Sequence, residues 1–212
     1  MRPRSHPGEG RGRGCFNDGP GGLRSRPAAR DCTDFPRITR RRGFVKRKER
    51  DGMKKILSWE ALKVEVERRR QQGEKIAFTN GCFDILHVGH VRYLREARKR
   101  GDLLILALNS DVSARAIKGE RRPLLPEQER AEVVASLEAV DYVTLFDETT
   151  PLRLIEYLRP DVLVKGGDWN EEAVVGRDAV RSWGGEVLLV PVVEGASTTN
   201  IVEKVLRAYG RQ

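Results

Sequence analysis

The sequence is poor in the residues that form cross-links or metal centres unaided. Its 212 residues include three cysteines, Cys15, Cys32 and Cys82, and three histidines. An odd number of thiols with no shared metal-ligand spacing argues against a disulfide framework or a structural zinc site and fits a reduced, cytoplasmic setting. No apolar run reaches the roughly 18 residues that a membrane-spanning helix needs, and the amino terminus lacks a signal peptide's apolar core, so the chain reads as soluble. Also missing are the G-x-x-x-x-G-K-[ST] loop that cradles phosphates and the G-x-S-x-G elbow of acyl transfer.

The net charge of +9 first suggests a nucleic-acid partner, but it is unevenly placed. Residues 1–52 carry all of it, and residues 53–212 are neutral overall. The first segment is rich in Arg, Gly and Pro, with Gly8-Glu9-Gly10-Arg11-Gly12-Arg13-Gly14 and later Arg40-Arg41-Arg42. With so few apolar residues, burial cannot offset the entropy of ordering it, and it is expected to be a disordered tail. It reads as a translated region ahead of a start at Met53, with an RNA-binding arm as the alternative.

From Met53 onward helices and strands alternate. Ser58 caps an expected helix to about Gln72, with Trp59, Leu62 and Val66 on one face. The apolar run Lys75–Phe78 leads through a loop into a helix stopped by Gly101, and Leu103–Leu108 is a continuous apolar run suited to a central parallel strand. After the basic loop 118–123, Pro126 and Glu127 open a helix to about Ala139. Tyr142–Phe146 is a strand, Thr149 or Thr150 caps a helix reaching Pro160, Val162–Val164 is a strand, and a helix covers Arg177 to Trp183. Glu186–Val190 and a last helix through Leu206 complete the chain. This order selects an α/β fold, a Rossmann-like doubly wound parallel sheet of about five strands in one domain, residues 53–212.

Nearly every polar signature follows a strand, and in such a sheet those loops share one edge. The first is Thr79-Asn80-Gly81-Cys82-Phe83-Asp84-Ile85-Leu86-His87-Val88-Gly89-His90. A strand, a tight loop and a helix start meet there, with free helix N–H groups and two imidazoles suited to an anion, and Gly81 and Gly89 allow close backbone approach. His87 and His90 at i, i+3 are read as phosphate contacts; metal ligation is the alternative, for which Cys82 is a poor third ligand. Cys82 itself reads as a small buried filler before a reactive thiol. Asp84 is expected to orient loop backbone or ligand hydroxyls more than to act as a base.

Ser197-Thr198-Thr199 offers three hydroxyls at a helix start, for phosphate or for ordinary capping. Lys165-Gly166-Gly167-Asp168 would lie along the nucleotide, against the alternative of a plain turn. Lys118, Arg121 and Arg122 would bring mobile positive charge, unless they are simply a solvated loop. Asn109 and Asp111, at the carboxyl end of their strand, join Arg121 and Arg122 as candidate substrate contacts. The central expectation is geometric: His87 and His90 and the 197–199 helix start, over a hundred positions apart, close around one triphosphate.

The G-x-F-D loop (Gly81, Phe83, Asp84) followed by H-x-G-H (His87, Gly89, His90) resembles the signature of the HxGH nucleotidyltransferase superfamily. Class I aminoacyl-tRNA synthetases carry a related motif but also a lysine-rich signature and a longer chain, neither of which is found here. The combined text T-N-G-C-F-D-I-L-H-V-G-H (79–90), L-N-S-D (108–111), K-G-E-R-R-P (118–123), L-V-K-G-G-D (163–168) and S-T-T-N-I (197–201) is similar to the adenylyltransferase domain of ADP-heptose synthases, across about residues 53–212. That resemblance implies transfer of AMP from ATP to D-glycero-β-D-manno-heptose 1-phosphate. The products would be pyrophosphate and ADP-heptose for the lipopolysaccharide inner core.

On this reading His87, His90 and Lys118 are catalytic, and Thr79, Asn80, Gly81, Phe83, Asp84, Gly89, Lys165, Gly166, Asp168, Ser197, Thr198 and Thr199 bind the nucleotide. Mg2+ arrives with ATP and needs no dedicated protein cage. Members often carry an amino-terminal sugar kinase; this chain resembles the stand-alone form, which implies a separate heptose kinase and allows a homodimer, with no nucleic acid or membrane partner. Adenine over cytosine, and heptose over glycerol phosphate, follow from the resemblance alone. Glycerol-3-phosphate cytidylyltransferases, the nearest rival, typically have an Arg shortly before S-T-T, where this chain has Glu194, Gly195 and Ala196. A nucleotide- or RNA-binding regulator without turnover is the non-enzymatic alternative.

Overall fold

The computed structural model of the protein describes residues 52–167, 171–191, 193 and 195–210. The expectations for residues 1–51 and for Asp168 lie outside these residues. After a short 3-10 turn at Gly52–Lys55, helices and strands alternate: α1 (Trp59–Gln71), β1 (Ile76–Gly81), α2 (Val88–Arg98), β2 (Leu103–Asn109), α3 (Asp111–Lys118), α4 (Glu127–Ala135) and β3 (Tyr142–Phe146). They continue as α5 (Leu152–Leu158), β4 (Val162–Gly166), α6 (Arg177–Ser182), β5 (Glu186–Val190) and α7 (Thr198–Tyr209).

Among the described residues five strands form one sheet, all parallel, in the order β3-β2-β1-β4-β5. The chain walks outward from β1 through β2 to β3, then returns to lay β4 on the other side of β1. That reversal opens a crevice beyond the carboxyl ends of β1 and β4, where such sheets hold ligands. The expected α/β sheet is therefore present with its expected strand number.

Alternation along the strands divides the core in two. Phe78, Ile105, Ala107 and Leu163 pack with Leu62, Val66, Leu154, Ile155 and Val180 from α1, α5 and α6. Ala77, Leu104, Leu106, Leu108, Val162 and Val164 pack with Leu94, Ala97, Ala131 and Val134 from α2 and α4 on the opposite face. All of β2 is buried, as its uninterrupted apolar text requires. At the amino-terminal edge, aspartates meet strand N–H groups: Asp102 accepts from Lys75 at 2.8 Å, Asp161 from Ile76 at 2.7 Å and Asp141 from Leu104 at 2.9 Å.

The structure departs from the sequence reading at three helices. Ser110 caps α3, an eight-residue helix within the stretch read only as a strand end and a basic loop; its hydroxyl accepts from the Ser113 N–H. Helix α4 stops at Ala135 instead of about Ala139, because Lys55 draws the Leu137 and Val140 carbonyls into a turn with bonds of 3.2 and 2.9 Å. Neither Thr149 nor Thr150 caps α5; Pro151 precedes it with no side-chain cap. Helix α7 differs from the others in having no buried residue, and its Val205, Leu206 and Tyr209 are exposed.

Candidate active site

A cleft of about 690 Å³ opens at the carboxyl edge of the sheet. The β1–α2 loop, the start of α7 and the carboxyl end of β4 line it, with Lys118 and the 149–151 loop beyond. His87, His90 and Ser197 to Thr199 all face it, so the two distant signatures meet on the same side of the sheet. Thr198 donates its hydroxyl to the Ile85 carbonyl at 3.4 Å, which ties α7 directly to the first loop.

The imidazoles of His87 and His90 stack with centroids 3.8 Å apart, and the Phe83 ring packs against His90 at 4.9 Å. Two cations could not share that distance cheaply. Burial, reinforced by the neighbouring His87, pushes His90 down to about 4, and burial also lowers His87. Both rings are neutral at pH 7, each with one N–H and one lone pair. Their Nδ1 atoms are buried and have no hydrogen-bond partner among the described residues. Buried polar atoms normally have partners, and these two are exceptions among the described residues.

The space left by the glycines is filled by the protein's own rings. A Cβ on Gly89 would stand 2.9 Å from the His87 ring and 3.2 Å from Ala196, so its absence lets α7 close on α2. A Cβ on Gly166 would stand 3.1 Å from Tyr93 and one on Gly81 2.9 Å from Phe83. These residues line the cleft, but their first task is packing the rings that shape it.

Several sequence candidates are committed elsewhere. Thr79, expected at the nucleotide, is fully buried: its hydroxyl meets the Tyr93 hydroxyl at 2.5 Å, and Tyr93 donates to the Val164 carbonyl at 3.0 Å. It joins β1, α2 and β4 beneath the cleft. Asp111, expected at the substrate, instead accepts from the guanidinium of Arg130 at 2.7 Å. Asp84 takes the orienting role expected of it. It accepts from the Leu124 and Leu125 N–H groups and from Arg122 at 2.8 Å, so Arg122 is held at the cleft wall and is not mobile charge. Arg121 is exposed and does not line the cleft.

Asn109 does line it, with its amide donating to Ser113 at 2.8 Å. Ser197 performs the ordinary capping considered for it, accepting from the Asn200 N–H at 3.0 Å, while Thr199 stays exposed beside it. Lys118 is exposed on the last turn of α3 at the cleft's rim. Lys165 points its amine at the Asn80 side-chain oxygen, and burial lowers it to about 8. Cys82 lines the cleft half-buried, and burial raises its thiol.

Arg130 was missed. It is 1% exposed and donates to the carbonyls of Cys82 at 2.6 Å, Asn109 at 2.9 Å and Leu125 at 2.9 Å, besides pairing with Asp111. One side chain thus fixes three loops around the cleft. In the sequence it is one arginine among the charges of an amphipathic helix, with no motif to single it out. Tyr93 was likewise hidden among the apolar positions of α2.

Residues 78–204 match the cytidylyltransferase-like family model. A protein of Geobacter metallireducens called bifunctional protein HldE is 57% identical over 76% of this chain and 33% of its own length. The protein of the same name from Magnetococcus marinus is 56% identical over 71% of this chain and 31% of its own. The chain therefore spans about a third of the curated relatives it matches. Among solved structures, a lipopolysaccharide core biosynthesis protein from Thermoplasma volcanium GSS1 aligns over 57% of this chain and 98% of its own, with 28% identity and a TM-score of 0.48. With the family model matched over more than half of its residues and the H-x-G-H loop at the switch point of its sheet, the chain belongs to the cytidylyltransferase-like family of nucleotidyltransferases.

Proposed function

We propose that the protein transfers AMP from ATP to D-glycero-β-D-manno-heptose 1-phosphate, releasing pyrophosphate and forming ADP-heptose for lipopolysaccharide core synthesis. The observation that carries this reading is the meeting of two neutral, unpartnered imidazoles with the start of α7 in one cleft. The motif text from 79 to 201 and the similarity to the HldE proteins support the choice of acceptor and base.

An oxygen of the acceptor phosphate attacks the α-phosphorus. A new P–O bond forms as the bond to the β-phosphate breaks, and pyrophosphate carries away the electron pair. The attacker is already an oxyanion, so no proton need be removed. Charge builds on the non-bridging oxygens and the leaving group, where His87 and His90 donate N–H bonds and the free N–H groups of α2 and α7 add their dipoles. Each well-aimed donor is worth roughly 2.7 to 4 kcal/mol of barrier.

Among the described residues no group of three or more His, Cys, Asp or Glu side chains is placed to hold a metal ion. Mg2+ would travel with ATP on the triphosphate's own oxygens, supplying charge neutralisation when bound. A kinase acting on the sugar must supply the acceptor, and the need for ATP suits a cytoplasmic setting.

The family's description and the retained H-x-G-H loop also fit a glycerol-3-phosphate cytidylyltransferase, against which stands the Gly195-Ala196 pair where an arginine is expected. Pyrophosphate release from ATP and from CTP, each with heptose 1-phosphate and with glycerol 3-phosphate, decides between them. We expect turnover with ATP and the heptose phosphate; turnover only with CTP and glycerol 3-phosphate would reverse the assignment.

A further inference from the structure

The cleft straddles the sheet. The pleat sends Asn80 of β1, Asn109 of β2 and Lys165 of β4 toward the same face as Phe78, Ala107 and Leu163, the α1/α5/α6 side. Val174, which packs in the core on that side, and Thr149 and Thr150, which lead into α5, also line the cleft. His87, Gly89 and His90 sit at the start of α2, which packs on the opposite face, and Ala196 closes against them. One half of the cleft has the imidazoles and the free helix N–H groups. The other half has Lys165.

The remaining cations do not compete for that role. Arg122 is spent on Asp84 and Arg130 on three carbonyls and Asp111, while Lys118 is exposed at the rim. Lys165 is paired with no carboxylate among the described residues; its partner is the neutral Asn80 oxygen. A desolvated ammonium held by an amide alone is an unfinished interaction that a phosphate completes. The triphosphate is already served by the α2 and α7 side.

The geometry points to Lys165 as the residue that binds the phosphate of the acceptor, holding it on the far side of the α-phosphorus from the departing pyrophosphate. This rests on the nucleotidyl-transfer reading and goes beyond it by separating the two substrates within the cleft. It differs from the sequence expectation, which sets Lys165 along the nucleotide. In-line displacement requires attacker and leaving group on opposite sides of phosphorus, which a cleft with cationic and imidazole halves provides.

Two measurements test it. In pyrophosphate-release kinetics, Lys165→Met should raise KM for heptose 1-phosphate about ten- to a hundred-fold, the usual worth of a hydrogen bond to a charged group, with KM for ATP within about threefold. Lys165→Arg should recover part of the loss. A rise in KM for ATP instead, or no change in either, overturns the assignment. Independently of turnover, trinitrobenzenesulfonate labelling of the wild-type protein at Lys165 can be followed by peptide mass spectrometry. With the nucleotide site filled by α,β-methylene ATP, millimolar inorganic phosphate or heptose 1-phosphate should block labelling. Protection by the ATP analogue alone, or none by phosphate, overturns the proposal. If the wild-type protein releases no pyrophosphate with any acceptor, the proposed function fails, while the labelling result still decides Lys165.

Discussion

Two aromatic nitrogens buried without partners are a cost that packing alone does not explain. If His87 and His90 are there for a transition state, His90→Ala should lower kcat at least about a hundredfold. Its melting temperature should fall by no more than about 3 °C, since the ring makes no hydrogen bond through Nδ1 among the described residues. A large loss of stability with modest loss of turnover would make it a packing residue. The same ring makes stability depend on pH. Its folded value of about 4 lies below the ordinary 6.5, so between those values the unfolded chain binds more protons. Its contribution is therefore whole above about pH 6.5 and is lost as pH falls toward 4. Discounted for the ring's partial exposure, this is about 1 kcal/mol at pH 5, or ~3 °C in melting temperature. Calorimetry at pH 7 and 5 on the wild type and His90→Gln should show that extra drop only in the wild type.

At the scale of elements, what was legible depended on whether a residue's job lies within its own segment. Ser58, the apolar run of β2 and the strands at 142–146 and 186–190 are specified by local pattern, and the structure places them where the pattern does. The turn after α4 is set by Lys55, over eighty positions away, and Thr79 faces inward because Tyr93 waits there. Such partners are not written next to the residues they control. Helix α3 was missed because Ser110 and Asp111 looked like a strand's polar end, although Ser-Asp is equally a helix start. Arg130 is the strongest case. Replacing it by Met would strand Asp111 and leave three inward carbonyls without their donor, at about 3 kcal/mol. We expect Arg130→Met to melt about 10 °C lower, with KM raised for both substrates because loops on both sides of the cleft lose their anchor. An unchanged melting curve would mean water takes over those carbonyls.

For the whole molecule, the sheet order does the work that no single motif can. By turning back beside β1, the chain brings the 79–90, 165–166 and 197–199 stretches to one crevice. Deleting residues 1–52 should leave kcat and both KM values within about twofold, measured by pyrophosphate release. A salt-dependent affinity for RNA that disappears with them would instead revive the binding-arm reading.

One wall of the crevice is built differently from the rest. Helix α7, capped by Ser197, is moored at its first turn by the contact of Thr198 with Ile85, yet among the described residues it adds no side chain to either core. Peeling it away would therefore uncover little oily surface. In hydrogen-exchange mass spectrometry its amides should swap for deuterium well before those of β1 and β2, and slow when ATP occupies the site. Uniform exchange across these elements would count against this. Under the proposed function, the grip on the phosphates would also be its own exit: the wall that closes on the nucleotide would be cheap to loosen when spent product has to leave.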